Sequence, residues 1–286
     1  MGSYRIGYPS TGGGGGSALS IISVPTIKTV GAGKDFETIL DAFTWIGETT
    51  FVLKSSIVLT LDDGIHELDD NVVAPTLTAP RISYVHILKD LNITFESASG
   101  NKADCVIQTD IYVDYGRDMQ VGVVFFSNGI ITFKNIGLTT GGDGDPFRDF
   151  YFENSLVKYA DAELVNSLTT QFHRGSRFLM VDTLLGFEID LYVDQSDGFL
   201  DTVTMDRVYS IEVRENSRVY GKVITITPAS EEWFTFINRG GQVFLSEEGG
   251  GNFNGKEWAD DKLGIIGADL SVVTSDSINL EFDFFG

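Results

Sequence analysis

The feature that most constrains the fold of this chain is a spaced repetition of short β-rich pieces in its C-terminal part. Residues 186–189 (Gly-Phe-Glu-Ile) match residues 210–213 (Ser-Ile-Glu-Val) at an offset of 24. Another 24 residues on, residues 234–237 keep the apolar end of the pattern, and residues 219–220 (Val-Tyr) fall on residues 243–244 (Val-Phe). A fixed period in the twenties is typical of a solenoid, because one coil cannot bury its inner face without a neighbour. Strands of a β-sandwich can also match in this way by chance, so that alternative stays open.

Short apolar pieces bounded by turn residues continue along the rest of the chain. Each is flanked by Gly, Asp, Asn or Ser, as strands joined by tight turns require. The clearest are residues 56–61, 65–68, 82–88, 91–95, 105–109, 121–126, 130–138, 187–193 and 219–227. Phe (21) and Tyr (10) far outnumber Pro (6), which favours an aromatic-rich β structure over a helix bundle. We therefore predict an all-β fold of stacked parallel coils.

One helix is predicted near the start of the folded part. Asp35 is a suitable N-cap, and Gly47 is expected to end the helix. Between them apolar residues recur at the spacing of one helical face, at Phe36, Ile39, Leu40, Phe43 and Ile46. A second helix, inserted between strands at residues 160–168, is a weaker prediction. Regular alternation of strands and helices is missing, which argues against doubly wound sheets and β/α barrels.

The net charge of the chain limits the classes of partner that it can bind. It carries 41 acidic against 20 basic residues, a net charge of -21. Such a surface repels phosphate backbones and anionic membranes, so we expect neither nucleic-acid binding nor membrane insertion. No stretch approaches the 18 or so apolar residues of a membrane span. The single cysteine, Cys105, lies in an apolar run and is predicted to be a buried structural thiol.

The first 26 residues differ from the remainder of the chain. Residues 12–16 are five consecutive glycines, which predict a flexible arm over residues 1–26 ahead of a β domain at 27–286. The apolar stretch at 19–24 is expected to be an anchor strand that pairs with a neighbour. An expression linker is the alternative. The N-terminus shows no apolar signal sequence, so we expect no ordinary secretion.

The stretch from residue 29 to residue 42 resembles the opening of pectin-lyase-like β-helix proteins. It reads Thr-Val-Gly-Ala-Gly-Lys-Asp-Phe-Glu-Thr-Ile and runs on to Ala42. Residues 57–68, 91–95 and 131–136 are similar to the first full turn and later rungs of that family. The resemblance implies a right-handed parallel β-helix, capped by an N-terminal helix. The Gln-Asp and Asp-Phe-Ile-Phe-Gly catalytic segments of the pectin methylesterases have no counterpart in this sequence.

Within that fold, the glycine-rich arm and the missing signal peptide most resemble phage tail-fibre and tailspike subunits. This second resemblance implies a homotrimer located in the virion. It also implies that residues 1–26 attach to other tail or baseplate proteins. The outer face of the β-helix would then meet a host surface glycan or receptor.

Enzymatic chemistry is only weakly indicated. Glycan hydrolysis needs two carboxylates about 5 to 10 Å apart. The acidic residues at 62–63, the pair Asp190 and Asp194, and the pair Asp197 and Asp201 are candidates, with solvated turns as the better interpretation. We predict no catalytic residue. Histidines 66 and 86 lie in strand patterns, where a hydrogen-bonded structural role is expected.

A glycine- and aspartate-rich loop at 141–149 is the candidate metal site. Asp143, Asp145 and Asp149 offer hard oxygen ligands of the kind that Ca²⁺ prefers. An ordinary acidic surface loop is the alternative and the one we favour. Asp110, Asp114 and Asp118 suggest the same idea with weaker support. No other cofactor is expected.

Aromatic residues with polar neighbours offer a way to bind sugars. They can stack on sugar rings along one face of a solenoid, although at least half of them are expected to fill the core or a trimer seam. They are Tyr112, Tyr115, Tyr192, Tyr209, Trp233 and Trp258.

The hypothesis that combines these observations is a non-enzymatic structural and host-recognition subunit of a phage tail, which binds a cell-surface glycan or a partner tail protein. The rival hypothesis is a polysaccharide depolymerase, a glycan hydrolase or lyase on the same scaffold.

Overall fold

The computed structural model of the chain shows short parallel β-strands that stack coil upon coil. It describes residues 21–22, 24–51, 55–68, 83–109, 121–140, 150–166, 168–187, 189–206, 208, 210–214, 216–222, 224–227, 235–239 and 241–245. Each coil returns the chain to three columns of paired strands, which we name A, B and C. The predicted all-β, solenoid-like architecture of parallel strands is thus what the described residues form.

Column A begins the coil and runs its full length. Two strands of two residues each, β1 (Ile21–Ile22) and β3 (Thr50–Phe51), lie outside column A and pair with each other in parallel. Column A contains, in chain order, β2 (Thr26–Val30), β4 (Ser56–Leu61), β7 (Asn92–Ser97), β10 (Ile130–Lys134), β13 (Leu156–Ala160), β16 (Arg177–Leu185), β18 (Asp197–Asp206), β20 (Arg218–Gly221) and β23 (Gln242–Leu245).

Columns B and C complete each coil. The long strands β16 and β18 bend from column A into column B. The other strands of column B are β5 (Gly64–Glu67), β8 (Cys105–Thr109), β11 (Gly137–Thr140), β14 (Glu163–Val165) and β21 (Ile224–Thr227). Column C contains β6 (Ser83–Lys89), β9 (Val121–Ser127), β12 (Phe150–Glu153), β15 (Thr169–His173), β17 (Asp190–Asp194), β19 (Ser210–Arg214) and β22 (Thr235–Arg239).

The length of one coil changes along the solenoid. In column A, Ser56 pairs with Asn92, an offset of 36 residues. Leu156 pairs with Arg177 and Arg177 with Asp197, offsets of 21 and 20. The early coils are longer because they contain the chain at 69–82, 110–120 and 141–149, which joins column B to column C and lies outside the described residues.

The predicted 24-residue repeat is confirmed in one place and wrong in another. Val219 pairs with Val243, which is the expected offset of 24. In column C, however, Ser210 pairs with Asp190 at an offset of 20 and with Thr235 at an offset of 25. Residues 186–189 match 210–213 in sequence, but they lie largely at the corner between columns B and C, before β17 begins. The similarity therefore reflects composition and not register.

The repeat that the structure uses is a serine at the corner between columns C and A. Asn154, Gln195 and Asn216 have φ of 48°, 50° and 59°, the left-handed region that turns the chain sharply. A buried serine follows each of these residues, and another follows Gly175, whose φ is 86°. The four serines, at offsets of 21, 20 and 21, are Ser155, Ser176, Ser196 and Ser217.

Two ladders of aromatic rings fill the core. Strands of this solenoid alternate inward and outward residues, so every second side chain enters the lumen. In column A, Phe133 stacks on Phe95 and on Tyr159, with ring centroids 5.3 and 5.2 Å apart. In column C the inner ladder is Phe126, Phe152 and Phe172, with centroids 5.1 and 5.3 Å apart. Burial raises the pKa of Tyr159.

The predicted helix is present, with different ends. Helix α1 runs Ile39–Glu48, and its N-cap is Thr38 and not Asp35. Thr38 and Asp41 form a reciprocal capping box, which satisfies donors that Asp35 is too far upstream to reach. The buried face includes Phe43, whose ring contacts His86 and Phe95 with centroids 5.3 and 6.1 Å away. The helix therefore packs onto the early coils, as the prediction of a capping helix requires.

Two further predictions are resolved by the described strands. The described residues of 160–168 form β14 and not a helix, because Asp161 and Asn166 turn the chain with φ of 50° and 59° on either side of that strand. Cys105 is buried as predicted, and burial raises the pKa of its thiol to about 11.

Candidate ligand-binding strip

The outward side chains of column C form the candidate site. Column C strands are bordered on the inside by the aromatic ladder, and the alternate residues point away from the lumen. The register places these residues in two parallel rows that run along the solenoid axis. We call the two rows the outer strip. Its members are Ile87, Phe125, Tyr151, Gln171, Tyr192 and Glu212 in one row, and Lys89, Ser127, Glu153, His173, Asp194 and Arg214 in the other.

Aromatic rings form the N-terminal part of the outer strip. Phe125 and Tyr151 have ring centroids 5.3 Å apart, and the Tyr151 ring stacks on His173 at 4.6 Å with planes only 13° apart. Lys89 places its ammonium nitrogen 5.8 Å from the centre of the Phe125 ring. Because neighbouring rings cover part of each other's faces, the ring edges and the exposed polar atoms are the groups that this surface offers to a ligand. Three polar members of the strip, Ser127, Gln171 and Glu212, are buried.

His173 lies at the centre of a polar network. Its Nδ1 is 3.1 Å from Asp194 Oδ2, and its Nε2 is 3.1 Å from Gln171 Oε1. Gln171 is in the same strand, whereas Asp194 comes from the next coil. The imidazole is therefore held in place by a ring on one side and by oxygen atoms at both nitrogens.

Two arginines complete the network at its edges. Arg174 donates from Nη1 to Glu153 Oε1 at 2.8 Å, and this hydrogen bond raises the pKa of the guanidinium. Arg214 donates from Nε to Glu212 Oε1 at 2.8 Å and lies 5.4 Å over the ring of Tyr192. Arg174, at the corner that follows β15, has a side chain that is 70% exposed. Each carboxylate of the outer strip thus has a cationic or imidazole partner.

The carboxylate pairs named from the sequence are too far apart or differently engaged. Asp190 and Asp194 are four residues apart in one strand, a backbone separation of about 13 Å that exceeds what glycan hydrolysis uses. Asp197 and Asp201 have the same spacing, and Asp197 is held by Arg218 through two hydrogen bonds of 2.9 and 2.8 Å. Of the residues at 62–63, Asp62 lies 3.5 Å from the ammonium of Lys34. Asp194 contacts His173 in the outer strip instead of acting beside Asp190.

The metal candidates lie outside the described residues. Asp143, Asp145 and Asp149 fall within 141–149, and Asp110, Asp114 and Asp118 fall within 110–120. Calcium binding at 141–149 stays a prediction. Among the residues that the structure describes, no group of three potential ligands is arranged to hold a metal ion.

The structural histidines behave as predicted. The Nε2 atom of His66 is 2.8 Å from the carbonyl oxygen of Asp62. His86 is buried, with its Nε2 3.3 Å from the carbonyl oxygen of Leu68. His173, by contrast, belongs to the outer strip.

The aromatic residues proposed for sugar stacking are only partly in view. Tyr192 lies half-buried in the outer strip, with one side of its ring covered by Arg214. Tyr112, Tyr115, Tyr209, Trp233 and Trp258 lie outside the described residues. The sequence analysis missed Phe125, Tyr151 and His173. Adjacent aromatic pairs at 125–126 and 151–152, which give one ring to each face, are the signal that points to them.

No protein-family model, curated protein or solved structure matches the chain. The described part of the chain contains no helix long and apolar enough to cross a membrane.

Proposed function

We propose that this chain is a structural and host-recognition subunit of a phage tail fibre or tailspike, and that its outer strip binds a glycan on the host surface. The observation that carries the proposal is the outer strip itself. It combines ring edges, carboxylates and guanidinium groups in two rows on a solenoid scaffold. Glycan recognition uses such convergent polar groups beside apolar carbon surface.

Preorganisation of the outer strip supports a binding role. Its side chains hold one another through the contacts of His173, Arg174 and Arg214. A ligand therefore meets groups whose rotamers are already restricted, which lowers the entropic cost of association. The strands beneath are anchored by the inner Phe ladder, so the two rows keep their spacing of about 4.8 Å per coil.

The proposal includes a right-handed coil, a homotrimer and an attachment arm. Right-handedness is favoured because crossovers between parallel strands are right-handed in nearly all known proteins. The trimer contact is proposed for column A, where an outward row of half-buried side chains runs through Leu179, Phe199 and Tyr220. Residues 1–26 are proposed to join the subunit to other tail or baseplate proteins, which places the protein in the virion.

Binding measurements on the outer strip test the recognition role. The full chain should bind intact host cells or their extracted surface polysaccharide, and Tyr151→Ala should weaken this binding by about tenfold or more. The control is Ile65→Ala in column B, an apolar side chain that is 63% exposed and distant from the outer strip in the topology. Equal binding by all three proteins would exclude the outer strip as the recognition surface.

Sedimentation and particle assembly test the other parts of the proposal. The purified chain should sediment as a trimer, and Phe199→Glu should release monomers. Deletion of residues 2–17 should leave the coil folded and abolish incorporation into virions. A deletion protein that joins particles normally would refute the role of the arm.

A depolymerase is the second candidate, because the outer strip also brings two carboxylates to a suitable spacing. Glu153 and Asp194 are in one row, two coils apart, with His173 between them. Their backbone separation is about 9.6 Å, near the upper end of the range for inverting glycosidases. Incubation of host polysaccharide with the protein should release oligosaccharides if this function holds. Release should then disappear in both Glu153→Gln and Asp194→Asn.

A further inference from the structure

The outer strip differs in charge from the chain that carries it. With the corner residues Asp90 and Arg174 that directly follow its strands, the outer strip has three cationic side chains, Lys89, Arg174 and Arg214, and four carboxylates, those of Asp90, Glu153, Asp194 and Glu212. The whole chain has twice as many acidic as basic residues, 41 against 20. The candidate site thus has nearly equal numbers of positive and negative charges on a strongly acidic molecule.

This balance bears on the charge of the ligand. An acidic polysaccharide is repelled at long range by a net charge of -21. At contact range it would need several cations without carboxylate partners, but the guanidinium of Arg174 is engaged by Glu153 and that of Arg214 by Glu212. The third cation, Lys89, is a single charge that lies over the ring of Phe125. A cationic ligand would in turn compete with the same guanidinium and imidazole groups for the carboxylates. An uncharged ligand meets neither penalty.

The outer strip still offers hydrogen-bonding capacity for hydroxyl groups. Glu153 uses Oε1 for Arg174, and Asp194 uses Oδ2 for His173. The second oxygen of each carboxylate can accept from a hydroxyl donor. Arg174 has five N–H donors, of which one bonds Glu153 at Nη1, and most of its side chain is exposed. Donors and acceptors for hydroxyl groups are therefore both present along the axis.

We propose that the outer strip selects an uncharged, hydroxyl-rich glycan that lies along the solenoid axis, and that it discriminates against acidic glycans. This inference rests on the proposed function and specifies the chemical class of its ligand. The carboxylates act as hydrogen-bond acceptors for sugar hydroxyls, and the paired arginines act as donors. Discrimination comes from the acidic surroundings and from the two arginines, whose charges are already neutralised.

The selectivity for uncharged glycans is tested by measuring how binding depends on the charge of the glycan and on salt. Purified full-length protein is applied to an immobilised set of bacterial surface polysaccharides, with uncharged members and members that carry carboxylate or sulfate groups. The polymers that bind should be uncharged, and their affinity should change less than about twofold between about 0.05 and 0.5 M NaCl, because screening acts on ionic contacts. Selective, salt-sensitive binding of acidic polymers would overturn the inference and leave glycan recognition intact. Binding of no polymer in either class would overturn the proposed recognition role as well.

A substitution in the outer strip should change the affinity for uncharged and for acidic glycans in opposite directions. Glu153→Gln removes one negative charge and one strong acceptor. Affinity for an uncharged glycan should fall by about three- to tenfold, whereas affinity for an acidic glycan would rise because a repelling carboxylate is lost. The matched control is Glu96→Gln in column A, a carboxylate paired with Lys134 and exposed to 28%, close to the 25% of Glu153. The control should bind like the unchanged protein, and an equal loss in both variants would refute a specific role of Glu153.

Discussion

The two faces of column C are built from neighbouring residues in the same strands, and they differ in what holds them together. Phe126, Phe152 and Phe172 stack inside the lumen. Phe125, Tyr151 and His173, each next to one of these, form a row on the outside, where Tyr151 stacks on His173 and Phe125 is tilted against Tyr151. Similar ring distances therefore occur on both faces. Only the inner rings are fully enclosed, so most of the stabilisation is expected from the inner ladder and most of the recognition from the outer strip.

This comparison shows that ring stacking by itself does not decide the role of a residue. The inner ladder excludes water, and its removal leaves a cavity whose lining cannot collapse completely. The outer rings are only partly buried and lie beside polar side chains such as Asp194 and Glu153. A truncation there exposes surface that solvent can fill. The two faces should therefore respond very differently to the same substitution.

Truncation of one ring on each face of column C should give the largest difference in the free energy of unfolding. Phe152→Ala should lower the free energy of unfolding by about 3–5 kcal/mol, because a fully buried ring is replaced by a cavity between Phe126 and Phe172. Tyr151→Ala should cost less, about 1–2 kcal/mol, because a half-buried ring loses its contacts with Phe125 and His173 without leaving a closed cavity. Urea denaturation of both variants measures the difference. Equal losses would mean that the outer rings are structural and would remove the main argument for a binding surface.

A close contact inside the lumen should give the next largest effect. Gly198 lies against the ring of Phe178, and a Cβ at this position would overlap that ring. Phe178 in turn stacks on Phe172 at 4.1 Å, so it has little room to shift. Gly198→Ala should therefore destabilise the protein by about 1–3 kcal/mol through overpacking. Gly47→Ala is the control, since a Cβ there meets no atom within 4 Å and alanine favours the helix. A neutral Gly198→Ala would show that the inner face is less tightly packed than its distances indicate.

Features of the fold that depend on residues close together in sequence can be predicted from the sequence, whereas features that depend on distant residues cannot. Helix α1 is predicted from local periodicity, and short strands are predicted from their flanking turn residues. The N-cap was assigned to Asp35 because it is a good capping residue, although Thr38 with Asp41 three residues later is the stronger pattern. Coil length is not local, since it depends on corner segments whose lengths differ from coil to coil. The 24-residue spacing consequently aligned residues 186–189 with the wrong strand.

The candidate site depends on the same long-range register. His173 and Asp194 meet because strands 21 residues apart in sequence pair in parallel. A shift of one residue would send every outward side chain of a strand inward. The sequence identified Tyr192 as a surface aromatic residue, but it offered no means to place it beside Arg214 from the following coil. The corner serines at 20- and 21-residue offsets would have given the correct register.

The corner serines lie at the turns between columns C and A. Removal of one of their hydroxyl groups should lower the free energy of unfolding by less than a change in the inner ladder and by more than a change at the surface. The hydroxyl of Ser176 is 2.8 Å from the carbonyl oxygen of His173 and accepts from the backbone N–H of Ser155 at 3.3 Å. Ser176→Ala leaves these buried groups without that partner, so it should cost about 1–2 kcal/mol. Thr204→Ala, at an exposed position of β18, is the control and should change little. If the two variants were equally stable, the serine ladder would be a consequence of the turns and not a source of their stability.

The polar contacts of Asp35, at the start of the solenoid, should contribute least to the free energy of unfolding, and their contribution should depend on pH. Asp35 accepts from Lys28 Nζ at 2.8 Å and from the backbone N–H and hydroxyl of Thr29 at 2.9 and 3.0 Å. These bonds, that from Lys28 first, lower the pKa of Asp35 from 3.8 to about 2.

Because the folded state has the lower pKa, ionised Asp35 stabilises the fold above pH 3.8, and this contribution is lost as the pH falls through 2. The contact is exposed, so Asp35→Asn should cost only about 0.2–1 kcal/mol at neutral pH. Unfolding measured at decreasing pH should show the gap between Asp35→Asn and the unchanged protein closing toward pH 2, with Glu37→Gln as the control. A gap that persists or widens in acid would assign the effect to the shape of the side chain. It would also weaken the view that surface polar contacts add little to stability compared with the inner ladder.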